Sequence, residues 1–157
     1  MLFRSLGTDR LIVPSADLDN LTSTIDRLNQ AHAQAKQAGL RVGFHNHARE
    51  FDLVDGTTIF DRILTSTTAD FLVQVDIGWA AAAGQDLSAL LRNYAARIET
   101  PHIKEFSRTT PTAPVGAGEI DWPNIFDLLE RETAVQWYVI EHEQHAVGPL
   151  EIGRAHV

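Results

Sequence analysis

The chain has 157 residues, 44% of them hydrophobic, and no cysteine. That length fits one packed domain, and the missing thiols exclude disulfides, thiolate metal sites and cysteine nucleophiles, leaving imidazole and carboxylate to hold an ion such as Mn, Mg, Zn, Co or Fe. Thirteen Lys and Arg against 21 Asp and Glu give a net charge of −8, which opposes nucleic-acid binding because phosphate contacts dominate that affinity. No apolar run reaches transmembrane length and no signal-peptide pattern opens the chain, so the expectation is a cytoplasmic protein without a membrane partner.

Residues 11–13 (Leu-Ile-Val) read as a short buried strand ended by Pro14, with Ser15 or Asp17 placed to cap the helix that follows. Leu18, Leu21, Ile25, Leu28, Ala31, Ala35 and Ala38 recur at three- and four-residue steps and form one apolar stripe, and Gly39 supplies the left-handed stop. Residues 41–45 form the next strand. Residues 71–75 are a strand broken only by Gln74, after which Asp86 caps a helix with Leu87, Leu90, Leu91 and Tyr94 inward. Residues 98–104 make a weaker strand interrupted by Pro101, which cannot donate to a ladder. Asp121 caps a helix with Pro123 in its first turn and Ile125, Phe126 and Leu129 inward, and residues 135–140 are the last strand.

Five strands and four connecting helices in alternation predict a parallel sheet covered by helices. Val13-Pro14-Ser15 is not the glycine-rich first turn of a doubly wound sheet. A closed eight-stranded barrel takes roughly 200 residues or more, so the expected architecture is an α/β fold in the form of a partial TIM barrel. The ends of the chain are peculiar. Leu2-Phe3-Arg4-Ser5 and Glu151-Ile152-Gly153-Arg154-Ala155-His156-Val157 are translations of CTCTTCCGATCT and GAGATCGGAAGAGCACACGTC, strings common in sequencing adaptors. Residues 1–157 are read as one domain, of which 6–150 are expected to be biological, and no role is expected for His156.

Ligand-type side chains stand where these strands end: His45-Asn46-His47, Asp76, His102 and Glu141. The intervals are 29 residues from His47 to Asp76, 26 to His102 and 39 to Glu141, each near one strand-plus-helix unit. Parallel strands bring such residues to one face, where a single ion can gather them. His45 and His47, two apart, share a face, as do His102 and Lys104, and Glu141 and Glu143. Trp79 can wall a sugar ring, and Lys104 can polarise a hydroxyl or carbonyl. Glu50 can turn back as ligand or base. The plain structural alternatives are histidines bonded to loop carbonyls, Glu50 paired with Arg49, and Lys104 paired with an acid. Residues 116–122 (Gly-Ala-Gly-Glu-Ile-Asp-Trp) read as a mobile loop near the mouth; Gly-x-Gly alone is weak evidence for phosphate.

Taken in order, His45-Asn46-His47-x-x-Glu50-Phe51, Asp76-x-Gly78-Trp79, His102-Ile103-Lys104-Glu105, Gly116-x-Gly118-x-Ile120-Asp121-Trp122 and Glu141-x-Glu143 resemble the sugar phosphate isomerase/epimerase family with the xylose isomerase-like TIM barrel. The resemblance implies strands 4 to 8 of that barrel and one divalent ion, Mn, Mg, Zn or Co, held by Glu, Asp, His and Glu. Asp76, His102 and Glu141 match the last three ligands. The first departs, because the strand that normally ends in Glu carries His45, so the fourth ligand is His45, His47 or Glu50, with His45 the first choice. His47, Asn46, Trp79, Lys104 and Glu143 are then expected to contact a small sugar or keto-sugar.

The implied chemistry is proton transfer through an enediolate by a carboxylate such as Glu141 or Glu50, assisted by Lys104, giving an isomerase or epimerase. The His-Asn-His variant also looks similar to inosose dehydratases, so a lyase is the alternative, and an inactive sugar-binding fragment is another. An endonuclease IV-like repair enzyme shares the barrel but calls for more ligand histidines and a basic groove. Open strand edges predict aggregation or a partner, such as a second copy in a homo-oligomer.

Overall fold

Parallel strands separated by helices run through the computed structural model, which describes residues 7–144. In chain order the elements are β1 (Arg10–Val13), α1 (Leu21–Gln37), β2 (Arg41–His45), a hairpin of β3 (Leu53–Val54) and β4 (Thr57–Thr58), and α2 (Ile59–Thr65). They continue with β5 (Leu72–Gln74), α3 (Ile77–Ala82), α4 (Leu87–Asn93), β6 (His102–Ile103), α5 (Trp122–Glu132) and β7 (Val139–Ile140). β1, β2 and β5 pair in parallel in that order, as do β6 and β7. Parallel bridges from Val73 to Ile98 and from Asp76 to His102 carry the same sense across from β5 to β6. Five strands therefore follow one another in space as they do in sequence, as in a β/α barrel wall.

The core lies between the strands and the helices. Phe44, Val73 and Val75 from the wall meet Phe60, Ile63, Leu64, Leu91 and Leu129 from the helices, all essentially without exposure. Each such side chain contributes roughly 1.5–3 kcal/mol on burial.

Several sequence expectations hold at the level of single residues. Gly39 adopts φ +70° after α1, Asp86 accepts the N–H of Ala89 at 2.9 Å and Asp121 that of Asn124 at 3.4 Å, and Pro123 sits in the first turn of α5. Ile125 and Leu129 are buried, and Phe126 packs partly buried beside them.

Others are corrected. Neither Ser15 nor Asp17 caps α1, which begins after Asn20 without a side-chain cap. Asp17 instead accepts the Asp19 N–H, and its carbonyl takes the Thr24 hydroxyl. Leu18, Leu21, Ile25 and Ala35 pack partly buried against the core as the stripe expects, but the fully buried line of α1 runs through Thr24, Leu28 and His32, and Ala31 is exposed. His32 is tolerated inside because its Nδ1 accepts the Val42 N–H at 3.2 Å and its Nε2 meets Asp70 at 3.2 Å. Among the described residues the α-helices are five rather than four. α2 and α3, capped by Thr58 and Asp76, are too short for a 3.6-residue period to emerge. The strand expected over 98–104 keeps its ladder only at residues 102–103 and an isolated bridge at Ile98, consistent with Pro101 lacking a donor. Of 135–140, only residues 139–140 pair as a strand.

At the amino ends of the strands the charges compensate one another. Glu99 accepts from Arg10 Nε at 2.8 Å and from Arg41 Nη1 and Nη2 at 2.6 and 2.9 Å. Its carbonyl receives the N–H groups of Gln136 and Trp137 at 2.8 and 3.1 Å. One acid thus ties β1 and β2 to the segment entering β7. Its carboxyl is held below the ordinary glutamate range, because the two guanidinium partners outweigh the opposing effect of burial.

Candidate metal centre

At the carboxyl ends of the same strands stand His45 (β2), Asp76 (just past β5), His102 (β6) and Glu141 (just past β7). Each offers one ligand atom, and these atoms all lie within 4.8 Å of one another. The alignment follows from the register. His45 pairs with Gln74, Asp76 bridges to His102, and Ile103 pairs with Ile140.

Asp76 is the centre of the group. Its Oδ1 accepts the Trp79 N–H at 2.8 Å, capping α3. Its Oδ2 is buried without a hydrogen-bond partner. Around that oxygen, His45 Nε2, His102 Nδ1 and Lys104 Nζ each stand 4.0 Å away. Glu141 closes the far side, with Oε2 at 2.5 Å from His102 Nδ1 and Oε1 at 3.3 Å from Lys104 Nζ.

These residues fit a divalent cation. Ligand atoms about 2.1 Å from one ion stand roughly 3–4 Å from each other, and the separations around Asp76 Oδ2 are of that size. Two imidazoles and two carboxylates suit Zn, Mn or Co. An ionised carboxylate buried without compensation costs several kcal/mol, and a cation removes that cost.

The electrostatics carry the same signature. Burial raises the Asp76 carboxyl to about 7. Burial, with His102 and His47 close by, lowers the His45 imidazole to about 4, so it is neutral and able to bind metal at neutral pH. Burial works against the Glu141 carboxylate, but the His102 hydrogen bond and Lys104 outweigh it and hold the group below its ordinary range.

The other expected site residues have distinct places. Lys104 is nearly buried and pairs with Glu143 at 2.7 Å, so an acid partner does exist. Its ammonium also lies 4.3 Å from the Trp79 ring centre. Gly78 makes that approach possible, since a Cβ there would stand 2.8 Å from Lys104 Cγ and from its carbonyl oxygen. The His47 ring lies 4.9 Å from that of His45 and 5.9 Å from Trp79. A cavity of about 200 Å³ opens beside Trp79, lined by Trp79, Lys104, Phe106, Ser107, Pro111 and Glu143 among others.

Two residues have structural duties that the sequence did not reveal. Asn46 is wholly buried, accepting the Asp76 N–H at 3.0 Å and donating to the Asp76 carbonyl at 3.2 Å. These two bonds hold the Asp76 main chain in place. Glu50 is buried and accepts the His47 N–H at 2.9 Å, while Arg49 pairs with Asp19 instead of Glu50. The segment 116–122 is likewise no free loop, because Glu105 binds it at three points. A polar residue directly after a strand-end ligand is the signal that could have revealed Asn46.

The chain is 28% identical to an inosose dehydratase of Erwinia tasmaniensis, over 77% of this chain and 47% of that protein. It is 25% identical to an inosose dehydratase of Clostridium perfringens, over 79% and 48%. The chain thus spans about half the length of the curated relatives it matches. The crystal structure of a sugar phosphate isomerase/epimerase from Parabacteroides distasonis superposes with a TM-score of 0.79 at 27% identity, over 94% of this chain and 55% of that one. No helix among the described residues is long and apolar enough to cross a membrane. The family model described as xylose isomerase-like TIM barrel matches residues 3–156, and the chain belongs to that family, with its TIM barrel-like α/β fold.

Proposed function

We propose that the chain carries the metal half of a divalent-metal-dependent isomerase or epimerase that acts on a sugar or keto-sugar by proton transfer through an enediolate. The observation that supports this most is the buried Asp76 Oδ2, without a partner of its own and facing His45, His102 and the Glu141 side of the group. We read the five parallel strands as strands 4 to 8 of the barrel.

His45, Asp76, His102 and Glu141 would hold the ion. When bound, it supplies Lewis-acid polarisation of neighbouring hydroxyl and carbonyl oxygens and so acidifies the adjacent C–H. Lys104, fixed between Glu143 and the Trp79 face, donates a hydrogen bond from Nζ to a substrate oxygen. Trp79 offers an apolar face to the ring CH groups, and the His47 ring stands 5.9 Å from that of Trp79, placed to contact a substrate seated there. Glu141, kept ionised by His102 and Lys104, takes up the C–H proton and returns it. Glu50 acts through His47, whose backbone it holds.

The curated relatives support a second reading, an inosose dehydratase-like lyase. Its first step is the same proton removal. The second expels a hydroxyl group as water, with Lys104 supplying the proton. The proposal also includes a cytoplasmic setting and a homo-oligomer. The exposed Trp137 and Ile140 at β7, 65% and 56% accessible, support a covered face there.

The test uses the full-length gene product. Its metal content is measured as purified and in Asp76→Ala and His102→Ala, and turnover of a sugar and inosose panel is followed in deuterium oxide. Bound ion lost in both variants, with deuterium at the carbon next to the carbonyl, is the expected result; loss of water in the same reaction selects the lyase. An ion-free wild type with no deuterium in any product would leave only an inactive sugar-binding fragment.

A further inference from the structure

Between β6 and α5 the chain crosses 18 residues without a helix or strand, and one side chain organises the crossing. Glu105 Oε1 accepts the main-chain N–H groups of Phe106 at 2.9 Å and Ile120 at 3.4 Å. Its Oε2 accepts the Gly116 N–H at 2.8 Å and the indole Nε1–H of Trp122 at 2.7 Å. Three of these donors lie 11 to 17 residues further along the chain. A carboxylate presents only acceptors and can take four such bonds, whereas a carboxamide would turn an NH2 against one pair of donors.

The loop sequence is shaped around that carboxylate. A Cβ on Gly118 would stand 2.4 Å from Glu105 Oε1 and 2.5 Å from Cδ, so a side chain there would displace the anchor. Trp122 is itself fixed, buried at the start of α5 with its ring 5.5 Å from that of Phe126. A second tie runs alongside: Glu119 donates its N–H to the Phe106 carbonyl at 2.9 Å and accepts from Arg108 at 2.7 and 2.9 Å. The near part of the crossing, Phe106, Ser107 and Pro111, lines the cavity that also contains Trp79 and Lys104.

We infer that Glu105 is a positioning residue, clamping residues 106–120 to Trp122 so that Phe106, Ser107 and Pro111 wall the cavity beside Trp79 and Lys104. The clamp rests on the proposed reading only in treating that cavity as the sugar site. It adds a determinant of cavity shape that touches neither the ion-binding group nor the proton.

The test uses the full chain labelled with 5-fluorotryptophan, whose three tryptophans, Trp79, Trp122 and Trp137, give three fluorine resonances, together with amide hydrogen exchange. In Glu105→Gln the Gly116 and Ile120 amides exchange at least about tenfold faster, and the Trp79 resonance moves as well as that of Trp122. Trp122→Phe removes one donor without charge change and keeps the test alive should the first variant fail to fold; it too shifts Trp79. Unchanged exchange at Gly116 and Ile120, or a Trp79 resonance that stays in place in both variants, overturns the inference. Titration with Mn2+ accompanies both variants and is expected to match wild type. A wild type that takes up no Mn2+ counts against the metalloenzyme reading, while the exchange and fluorine results still decide the clamp.

Discussion

The two ends of the same parallel strands are built on opposite principles. At the amino ends, Arg10, Arg41 and Glu99 have opposite signs and satisfy one another. At the carboxyl ends, His45, Asp76, His102 and Glu141 are all acceptor-type ligands drawn together, and Asp76 Oδ2 and His45 Nδ1 are left without partners. Compensated charge at one end is what a fold needs to hold its strands. At the other end His102 and Lys104 satisfy Glu141 but leave the Asp76 and His45 atoms open; open, converging ligand atoms are what an ion needs, and barrels place their chemistry at that end.

Substitutions should separate the two ends by what they damage. The largest expected effect is Asp76→Asn: divalent-metal affinity falls at least about 100-fold, beyond the 10–100-fold typical of supporting residues. The melting temperature of the metal-free protein holds or rises, because the amide keeps the cap on α3 and removes a buried charge. Calorimetric metal titration and thermal melts check both halves. A metal-free protein that melts markedly lower would remove the contrast.

Glu99→Gln should do the reverse. It costs about 2–3 kcal/mol of unfolding free energy, less than the figure for a fully buried pair because Arg10 and Arg41 are partly solvated, and leaves metal affinity alone. The pH dependence has a definite sign. The folded-state pKa of Glu99 lies below its ordinary value of 4.5. The stability it contributes is therefore complete above that value and is lost as the pH falls through the lower folded value. Denaturant curves from pH 7 to 3 should show the wild type and variant converging in acid. A constant gap would point to packing rather than charge.

Asp76 sets the opposite dependence at the other end. With its pKa raised to about 7, the folded metal-free protein holds a proton that the unfolded chain releases. Its stability contribution is present below the ordinary aspartate value and declines as the pH rises toward 7. Metal must expel that proton, so affinity should climb about tenfold per pH unit up to pH 7 and level off above it. His45, lowered to about 4, is already neutral through most of this window. Calorimetry in buffers of different ionisation enthalpy at pH 6 should detect about one proton released per ion; none would contradict the assignment.

The smallest effects are expected at the supports. Asn46→Ala weakens metal binding roughly 10-fold and destabilises by about 1–3 kcal/mol, since it strips the Asp76 N–H of its partner and leaves the Asp76 carbonyl only the Ala80 N–H. Gly78→Ala forces Lys104 aside at a cost of about 1–3 kcal/mol. Metal titration and denaturant unfolding read both variants, and a change of affinity in the second is expected to follow the Lys104–Glu141 pair that it disturbs.

Much of this was legible in the residues, for identifiable reasons. β2 and the residues around β5 are dense apolar runs, so their ends, and hence His45 and Asp76, could be placed by counting. α1, α4 and α5 are long enough, or well enough capped, to declare themselves. The supports were not legible. Asn46 and Glu105 act through bonds to residues 30 and 11–17 positions away; the place of Asn46 after a strand-end ligand was its one local sign, and no local pattern encodes the partners of Glu105. α3 escaped notice because a six-residue helix has no period to read, although its cap, Asp76, was singled out for another reason. The polar inner line of α1 at Thr24 and His32 runs against the apolar-stripe rule and is explained only by the bonds those side chains make.

The most direct test concerns the corner where this chain departs from the ligand pattern it resembles. Full-length protein loaded with Mn2+ and labelled with 15N-histidine can be studied by pulsed electron paramagnetic resonance, which counts the imidazole nitrogens coupled to the ion. Two coupled nitrogens, falling to one in His45→Ala and likewise in His102→Ala, are predicted. Two nitrogens persisting in His45→Ala would transfer the ligand to His47 and contradict the His45, Asp76, His102 and Glu141 centre.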